Sequence, residues 1–108
     1  MTKKEIRQRD KEFTEKIKEQ ADYKCEKCSS SKGRLNVHHV FDRSNRNVRW
    51  DVDNGILLDA YHHYFSIFSP HKNPNFIFWL IEKRGRKWWN RLKKKALKGE
   101  KLEQLAKN

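Results

Sequence analysis

The chain has 108 residues, and its 26 Lys and Arg residues outnumber its 14 Asp and Glu residues, which gives a net charge of +12 at neutral pH. This length suits one domain, and because only 35% of the residues are hydrophobic, we expect a small core that needs an additional stabilising element. No run approaches the roughly 18 apolar residues of a membrane span, and the charged N-terminal segment lacks the apolar part of a signal peptide, so we expect an intracellular protein rather than a membrane-spanning or secreted one.

The first half of the chain divides into four segments. Residues 2–21 predict a helix of mixed charge with a few apolar side chains on one face. Residues 22–34 are rich in turn-forming residues, and residues 35–41 alternate their side chains between two faces as a short β-strand does. A polar loop over residues 42–53 follows, so we expect helix, turn, strand and loop in that order.

The second half of the chain is more helical. Residues 54–68 predict the end of a strand that runs into a helix, which stops at Pro70. Pro74 opens a second helix, since proline suits the first helical turn, and a basic helix continues to Gly99. The predicted organisation is a single domain with an N-terminal helix (1–21), a core (22–72), basic C-terminal helices (73–99) and a frayed tail (100–108).

Basic residues are concentrated between residues 83 and 98, where nine of the 16 residues are Lys or Arg. This cluster and the net charge favour a polyanionic partner, and nucleic acid is a more common one than an anionic membrane. The alternative for each basic residue is an ordinary solvated charge. The candidate phosphate contacts are Lys93, Lys94 and Lys95 in this cluster and Arg43, Arg46 and Arg49 in the polar loop.

The two cysteines, Cys25 and Cys28, have the spacing C-x-x-C. In a basic intracellular protein this spacing indicates a metal site or redox chemistry, and the βαβ context of a thioredoxin-like redox site is not apparent in the pattern. Two thiolates make half of a tetrahedral zinc site, so the other ligands would have to be His, Asp or Glu. The alternative is a pair of thiols on a turn without a ligand.

The histidines form two adjacent pairs. His38 and His39 lie on the predicted strand, where neighbouring side chains point to opposite faces, and His62 and His63 lie on the predicted helix, where they diverge by about 100°. One member of each pair can therefore face a common pocket while the other has a different task. The alternative for any single histidine is a hydrogen-bonded structural or surface residue.

The order of these motifs carries a resemblance. Cys25-x-x-Cys28, the doublet His38-His39 after an apolar strand, Asn54-Gly before an apolar run, and a histidine-bearing helix together resemble the HNH endonuclease family over roughly residues 22–74. The small HNH nucleases of phages and prophages are the most similar. The resemblance implies an α+β fold with a ββα-metal core and a zinc knuckle. It also implies a monomeric, metal-dependent endonuclease that nicks or cleaves DNA by hydrolysis.

The resemblance also implies roles for the site residues. His39 would be the general base, since a neutral imidazole accepts a proton at neutral pH, and Asn54 would brace the loop that orients it. His38 and His63 would hold the catalytic divalent metal, which could be Mg²⁺, Mn²⁺, Ni²⁺ or Zn²⁺. His71 is open between a further contact to the metal or phosphate and an ordinary loop histidine.

The chain departs from the family where a second C-x-x-C is common, because Asp59 and His62 occupy those two positions. Both residue types are zinc ligands. The resemblance therefore implies a structural Zn²⁺ bound by Cys25, Cys28, Asp59 and His62. The assignment of His62 to this site and of His63 to the catalytic one comes from the alignment and can be exchanged.

Two other functions stay open at this point. One is a DNA-binding module stabilised by zinc but without activity, which would need the basic residues but no base beside an open metal. The other is a phage packaging or recombination nuclease that cuts only together with a protein partner.

Overall fold

A computed structural model describes residues 1–65 and 69–98 of the chain. Its elements in chain order are helix α1 (Lys3–Gln20), strand β1 (Leu35–His39), a 3₁₀ turn (Val52–Asn54), strand β2 (Gly55–Asp59), a π-helical turn (Tyr61–Phe65), helix α2 (Phe76–Arg84) and helix α3 (Arg86–Ala96). The predicted α+β class is confirmed. The predicted tail at 100–108 and the end of the helix predicted over 54–68 lie outside the described residues.

The two strands form an antiparallel hairpin in which Leu35 pairs with Asp59 and His39 pairs with Gly55. The strand predicted to reach residue 41 ends at His39 instead. The side-chain oxygen of Asn54 accepts a hydrogen bond from the backbone of Phe41, and its amide donates to the Phe41 carbonyl. These contacts occupy the backbone groups that further strand pairing would need.

Helices cover both faces of the hairpin. Leu57 packs against Phe13 and Ile17 of α1, whereas Ile56 and Leu58 belong to the larger core cluster with residues of α2 and α3. Residues 56–58 are fully buried, which explains why they read as a continuous apolar run rather than an alternating one. Among the described helices, none is both long and apolar enough to cross a membrane.

Helix α3 is attached to the 3₁₀ turn through acidic residues. The Trp88 indole donates to the Asp53 carbonyl at 2.9 Å, Arg91 makes two hydrogen bonds to the Asp53 carboxylate, and Lys95 lies 2.7–2.8 Å from the carboxylates of Asp51 and Asp53. The hydrogen bond from Arg91, with the further contribution of Lys95, lowers the pKa of Asp53 to about 2. Part of the positive charge of α3 therefore stabilises the fold.

We expect Asp53→Asn to lower the free energy of unfolding at neutral pH by roughly 1 kcal/mol, because partly exposed ion pairs contribute little more than that. The folded-state pKa lies below the unfolded value of about 3.9, so this stabilisation is present above pH 4 and is lost as the pH falls towards about 2. Denaturant titrations of the wild type and the variant should converge over that window. The exposed Asp22→Asn variant is the control, and a difference that persists at pH 2 would contradict the prediction.

Candidate metal centres

Two groups of metal-ligand side chains occur within residues 1–65 and 69–98. The first, which we call the cysteine cluster, consists of Cys25, Cys28, Asp59 and His62. The second, which we call the histidine cluster, consists of His38, His63 and His71. Within each group, one possible ligand atom per residue lies within 4.8 Å of all the others, so each group could hold a metal ion.

Both cysteines lie in the turn-rich segment 22–34, which we call the knuckle. Hydrogen bonds within its own backbone close this segment. The Cys25 amide donates to the Ser30 carbonyl at 2.9 Å and the Ser29 amide donates to the Cys25 carbonyl at 2.7 Å. Ser29 has a φ of 64°, in the left-handed region that a tight turn needs. The Glu26 amide donates to the Leu57 carbonyl at 2.9 Å, which fixes the knuckle against β2.

Neighbouring donor atoms of the cysteine cluster lie 2.9–3.8 Å apart, some of them closer than the ligands of one tetrahedral ion would be. The Cys25 sulfur lies 3.8 Å from His62 Nδ1, the Cys28 sulfur lies 3.1 Å from Asp59 Oδ2, and His62 Nδ1 lies 2.9 Å from Asp59 Oδ1. Ligand atoms about 2.0–2.3 Å from one tetrahedral ion would be separated by roughly 3.3–3.8 Å. Small movements of these side chains would bring all four atoms to one ion.

Asp59 and His62 do not meet through helical i,i+3 spacing, because Asp59 is the last residue of β2 and the helical turn begins after it. The Asp59 carboxylate instead accepts a hydrogen bond from the His62 amide at 2.8 Å. Such a contact stabilises the beginning of a helix, and it places both side chains beside the knuckle.

The Cys28 thiol donates a hydrogen bond to the Asp59 carboxylate. Desolvation and this carboxylate raise the pKa of Cys28 to about 11, so in the metal-free protein the thiol keeps its proton at neutral pH. A metal ion binds the thiolate, and its binding at this cluster must therefore release a proton.

The histidine cluster joins three separate parts of the chain. His38 comes from β1, His63 from the π-helical turn and His71 from the following loop. His63 Nε2 lies 3.3 Å from His38 Nδ1 and 2.9 Å from His71 Nε2. His71, which the sequence left open, thus lies beside the two histidines that the resemblance assigned to a metal, and His63 rather than His62 joins this cluster.

The histidine cluster is suited to bind a cation because its buried members are neutral. Burial, with the neighbouring histidines as a further cause, lowers the pKa of His38 to about 3. Burial and the proximity of His71 lower the pKa of His63 to about 4. His38 and His63 are therefore neutral at neutral pH, and each keeps a nitrogen lone pair. A site with three protein ligands leaves further coordination positions for other molecules.

Ser69 positions the loop that carries His71. Its side chain is fully buried, its hydroxyl donates to the His63 carbonyl, and it accepts a hydrogen bond from the His71 amide at 3.2 Å. Sequence reasoning missed this residue, because a serine before a proline signals only a turn.

His39, at the end of β1, and Asn54, in the 3₁₀ turn, both bond to carbonyl groups of the loop between the strands. His39 Nε2 lies 3.0 Å from the Arg49 carbonyl, and the buried Asn54 amide donates to the Val48 carbonyl at 3.1 Å as well as bridging to Phe41. A carbonyl only accepts hydrogen bonds, so Nε2 of His39 carries the proton and Nδ1 carries the lone pair. Burial lowers the pKa of His39.

Two residues of α1 also contact His39 and the loop between the strands, and sequence reasoning missed both. The ring of Phe13 stacks on that of His39 with centroids 4.9 Å apart. The Asp10 carboxylate accepts two hydrogen bonds from the Arg49 guanidinium and one from the Trp50 indole. Neither residue stands out from a mixed-charge helix in the sequence, because their partners lie 26 to 40 residues further along the chain.

The six candidate phosphate contacts differ in their surroundings. Arg43, Arg46 and Lys94 are exposed, and the Lys93 ammonium lies over the Trp89 ring. The Arg49 side chain is only 10% exposed, and its guanidinium is bound to Asp10. The Lys95 side chain is 37% exposed, and its ammonium is bound to two carboxylates.

The chain matches no family model, no curated protein and no solved structure. The function must therefore be argued from the two clusters, the loop between the strands and the distribution of charge.

We expect Ser69→Ala to weaken metal binding at the histidine cluster by about tenfold or more, as the loss of outer contacts to ligands commonly does. The cysteine cluster should keep its affinity. Co²⁺ titration followed by absorption separates the sites, because thiolate ligands give a distinct charge-transfer band. Ser44→Ala, in an exposed loop, is the control, and unchanged Co²⁺ affinity at the histidines would show that Ser69 does not position His71 for a metal.

Proposed function

We propose that the protein is a metal-dependent endonuclease of the HNH type that hydrolyses phosphodiester bonds of DNA. The observation that carries this proposal is the histidine cluster, in which three imidazoles converge and leave coordination positions for phosphate and water. The small antiparallel hairpin with His38 and His39 at its end supports the same assignment.

The histidine cluster would hold the catalytic divalent ion. Neutral imidazoles suit Zn²⁺, Ni²⁺ and related ions, and Mg²⁺ and Mn²⁺ would depend more on the phosphate oxygens for binding. Such an ion polarises the phosphate and stabilises the negative charge on the leaving oxygen. His38 and His63 supply ligands from rigid elements, and His71 supplies one from the loop that Ser69 holds.

His39 would act as the general base. The Arg49 carbonyl holds the Nε2 proton, so Nδ1 is the atom that accepts a proton from the attacking water. Its lowered pKa keeps the imidazole neutral at physiological pH. Phe13 limits the rotation of the ring, and Asn54 holds the loop whose carbonyl orients it. Products with a 5′-phosphate and a 3′-hydroxyl are implied by the resemblance, and one such centre cuts one strand at a time.

The cysteine cluster would hold a structural Zn²⁺. Two thiolates and an imidazole are ligands that zinc prefers, and the Asp59 carboxylate completes four. The ion would connect the knuckle after α1 to the end of β2, two regions about 30 residues apart in sequence. Because a carboxylate is a harder ligand than a thiolate, this site should bind zinc less tightly than a site with four cysteines.

DNA would bind along the polar loop and the end of α3. The Asn45 amide donates to the Ala96 carbonyl at 3.1 Å and the Asn47 amide donates to the Lys98 carbonyl at 3.0 Å, so the loop is attached to the helix end. These contacts bring Arg46 and Lys98 to the lining of one pocket. Arg43 and Lys94 are exposed on the same two segments, and the DNA would contact all four.

One observation favours a second candidate, a DNA-binding domain that holds metal without hydrolysis. His38 faces the histidine cluster, whereas the ring of His39 stacks on Phe13 from α1. For hydrolysis, a base and a metal ion on different faces of the strand would both have to reach the same phosphate at the strand end. Metal binding without hydrolysis does not require this. Direct measurement of cleavage separates the two candidates.

We expect supercoiled plasmid to be nicked when a divalent ion is added and to stay intact with EDTA. His39→Ala should reduce the rate by at least about 100-fold, as the loss of a general base does, while metal content and DNA affinity stay near wild type. His63→Ala should lose both cleavage and the metal ion bound at the histidine cluster. If His39→Ala cuts at the wild-type rate, or if no ion supports nicking, the endonuclease proposal fails.

We expect protein purified without added metal to retain about one zinc per chain, measured by elemental analysis. Cys25→Ser and Asp59→Ala should lose this zinc and melt at a lower temperature, because binding at such a site adds to the free energy of folding. His39→Ala should keep the zinc. A Cys25→Ser/Cys28→Ser protein with an unchanged melting temperature would contradict a structural role for the ion.

We expect the affinity for duplex DNA to fall with salt, with log K decreasing by about 0.9 per phosphate contact for each unit of log salt concentration. Lys94→Ala should reduce this slope by about one contact. Lys95→Ala is the matched variant on the next residue, and it should leave the slope unchanged but lower the melting temperature, since Asp51 and Asp53 lose a partner. If Lys95→Ala reduces the slope and Lys94→Ala does not, the DNA contacts the side of α3 that carries Lys95 instead.

A further inference from the structure

A cleft of about 180 Å³ lies directly beside the histidine cluster. Its lining includes Phe41, Phe76, Ile77, Trp89, Asn73 and His38, together with Pro70 and Pro74. The functions proposed above do not use this cleft, although one of its residues, His38, is a member of the histidine cluster.

The principal wall of the cleft is a pair of parallel aromatic rings. Phe41 and Trp89 stack with their centroids 5.6 Å apart and their planes 11° from parallel. The backbone amide and carbonyl of Phe41 both form hydrogen bonds with the Asn54 side chain, and Trp89 belongs to α3. The wall is therefore formed by side chains from two well-anchored elements.

A positive charge lies on one ring of this wall, and a side-chain amide belongs to the lining. The Lys93 ammonium is 5.6 Å from the centroid of the Trp89 ring. Asn73 lines the cleft, and its side-chain oxygen accepts a hydrogen bond from the Asn75 amide. Flat aromatic surfaces next to a cation are the features with which proteins bind the bases and phosphates of single-stranded nucleic acid.

The volume of the cleft limits what can enter it. A cavity of about 150 Å³ holds one benzene molecule, so about 180 Å³ is the scale of a single flat ring system. This space accommodates one nucleobase but not a base pair. A base in a continuous duplex would have to be unpaired and unstacked first, which costs free energy that a single strand does not need.

We propose that this cleft binds one unpaired nucleobase next to the phosphate that is cut, so that the protein prefers single-stranded DNA or the unpaired part of a flap, gap or overhang to continuous duplex. His38 connects the two sites, because it lines the cleft and belongs to the histidine cluster. A base stacked there would place its neighbouring phosphate at that cluster. The preference for an unpaired substrate rests on the proposed function, but the binding of the base does not require cleavage.

The test compares the affinity of the zinc-loaded protein for a short labelled single strand and for the same sequence as a duplex, by fluorescence anisotropy. All proteins carry His39→Ala, so that a nuclease activity that uses His39 as its base does not degrade the DNA during the measurement. Trp89→Ala should weaken single-strand binding about tenfold or more and duplex binding less than about twofold. Trp89→Phe should restore most of the affinity. Phe78→Ala, an exposed aromatic residue of α2 outside the cleft lining, is the control and should change neither.

A second variant keeps the test valid if Trp89→Ala unfolds the protein. Ile77→Phe adds volume inside the cleft, and it should abolish the single-strand preference with little change in melting temperature. If the protein shows no preference for single strands, or if the Trp89 and Ile77 variants weaken both forms of DNA equally, the proposal is overturned and the cleft is left to a protein segment. If the preference follows the cleft residues but no ion supports cleavage, the base-binding site stands and the nuclease proposal fails.

Discussion

The register of the β-hairpin is the constraint on which the rest of the structure depends. His38 pairs with Ile56 and His39 with Gly55. A shift of one residue would exchange the faces of every side chain in β1. His38 would then leave the histidine cluster and His39 would leave Phe13. The register is determined by Asn54, whose side chain bonds both backbone groups of Phe41 immediately after β1.

Both clusters extend this hairpin with residues from short, irregular segments. Asp59 ends β2 and caps the turn that follows, so the adjacent His62 and His63 can serve different clusters. A core this small leaves the knuckle and the His71 loop dependent on specific polar contacts and, in our proposal, on bound metal. The two clusters are consequently coupled through a few residues.

Part of the positive charge contributes to stability. Arg49 and Lys95 are engaged with acidic residues and hold α1 and α3 to the centre of the molecule. In our proposal, exposed residues such as Arg46 and Lys94 would bind DNA. The cleft next to the histidine cluster adds an apolar contribution, which would let the protein recognise bases as well as phosphates.

The sequence by itself determined the helix at 2–21 and the strand at 35–41 to within two residues, because local periodicity needs no knowledge of distant contacts. The α+β class and the grouping of candidate ligands were instead implied by the resemblance that the order of the motifs carries. Only the tertiary structure decided that His71 joins His38, that Arg49 is buried against Asp10 and that Lys95 is paired, because each depends on residues far apart in the chain. The cleft was likewise invisible in the sequence, since its aromatic wall forms only where the end of β1 meets α3.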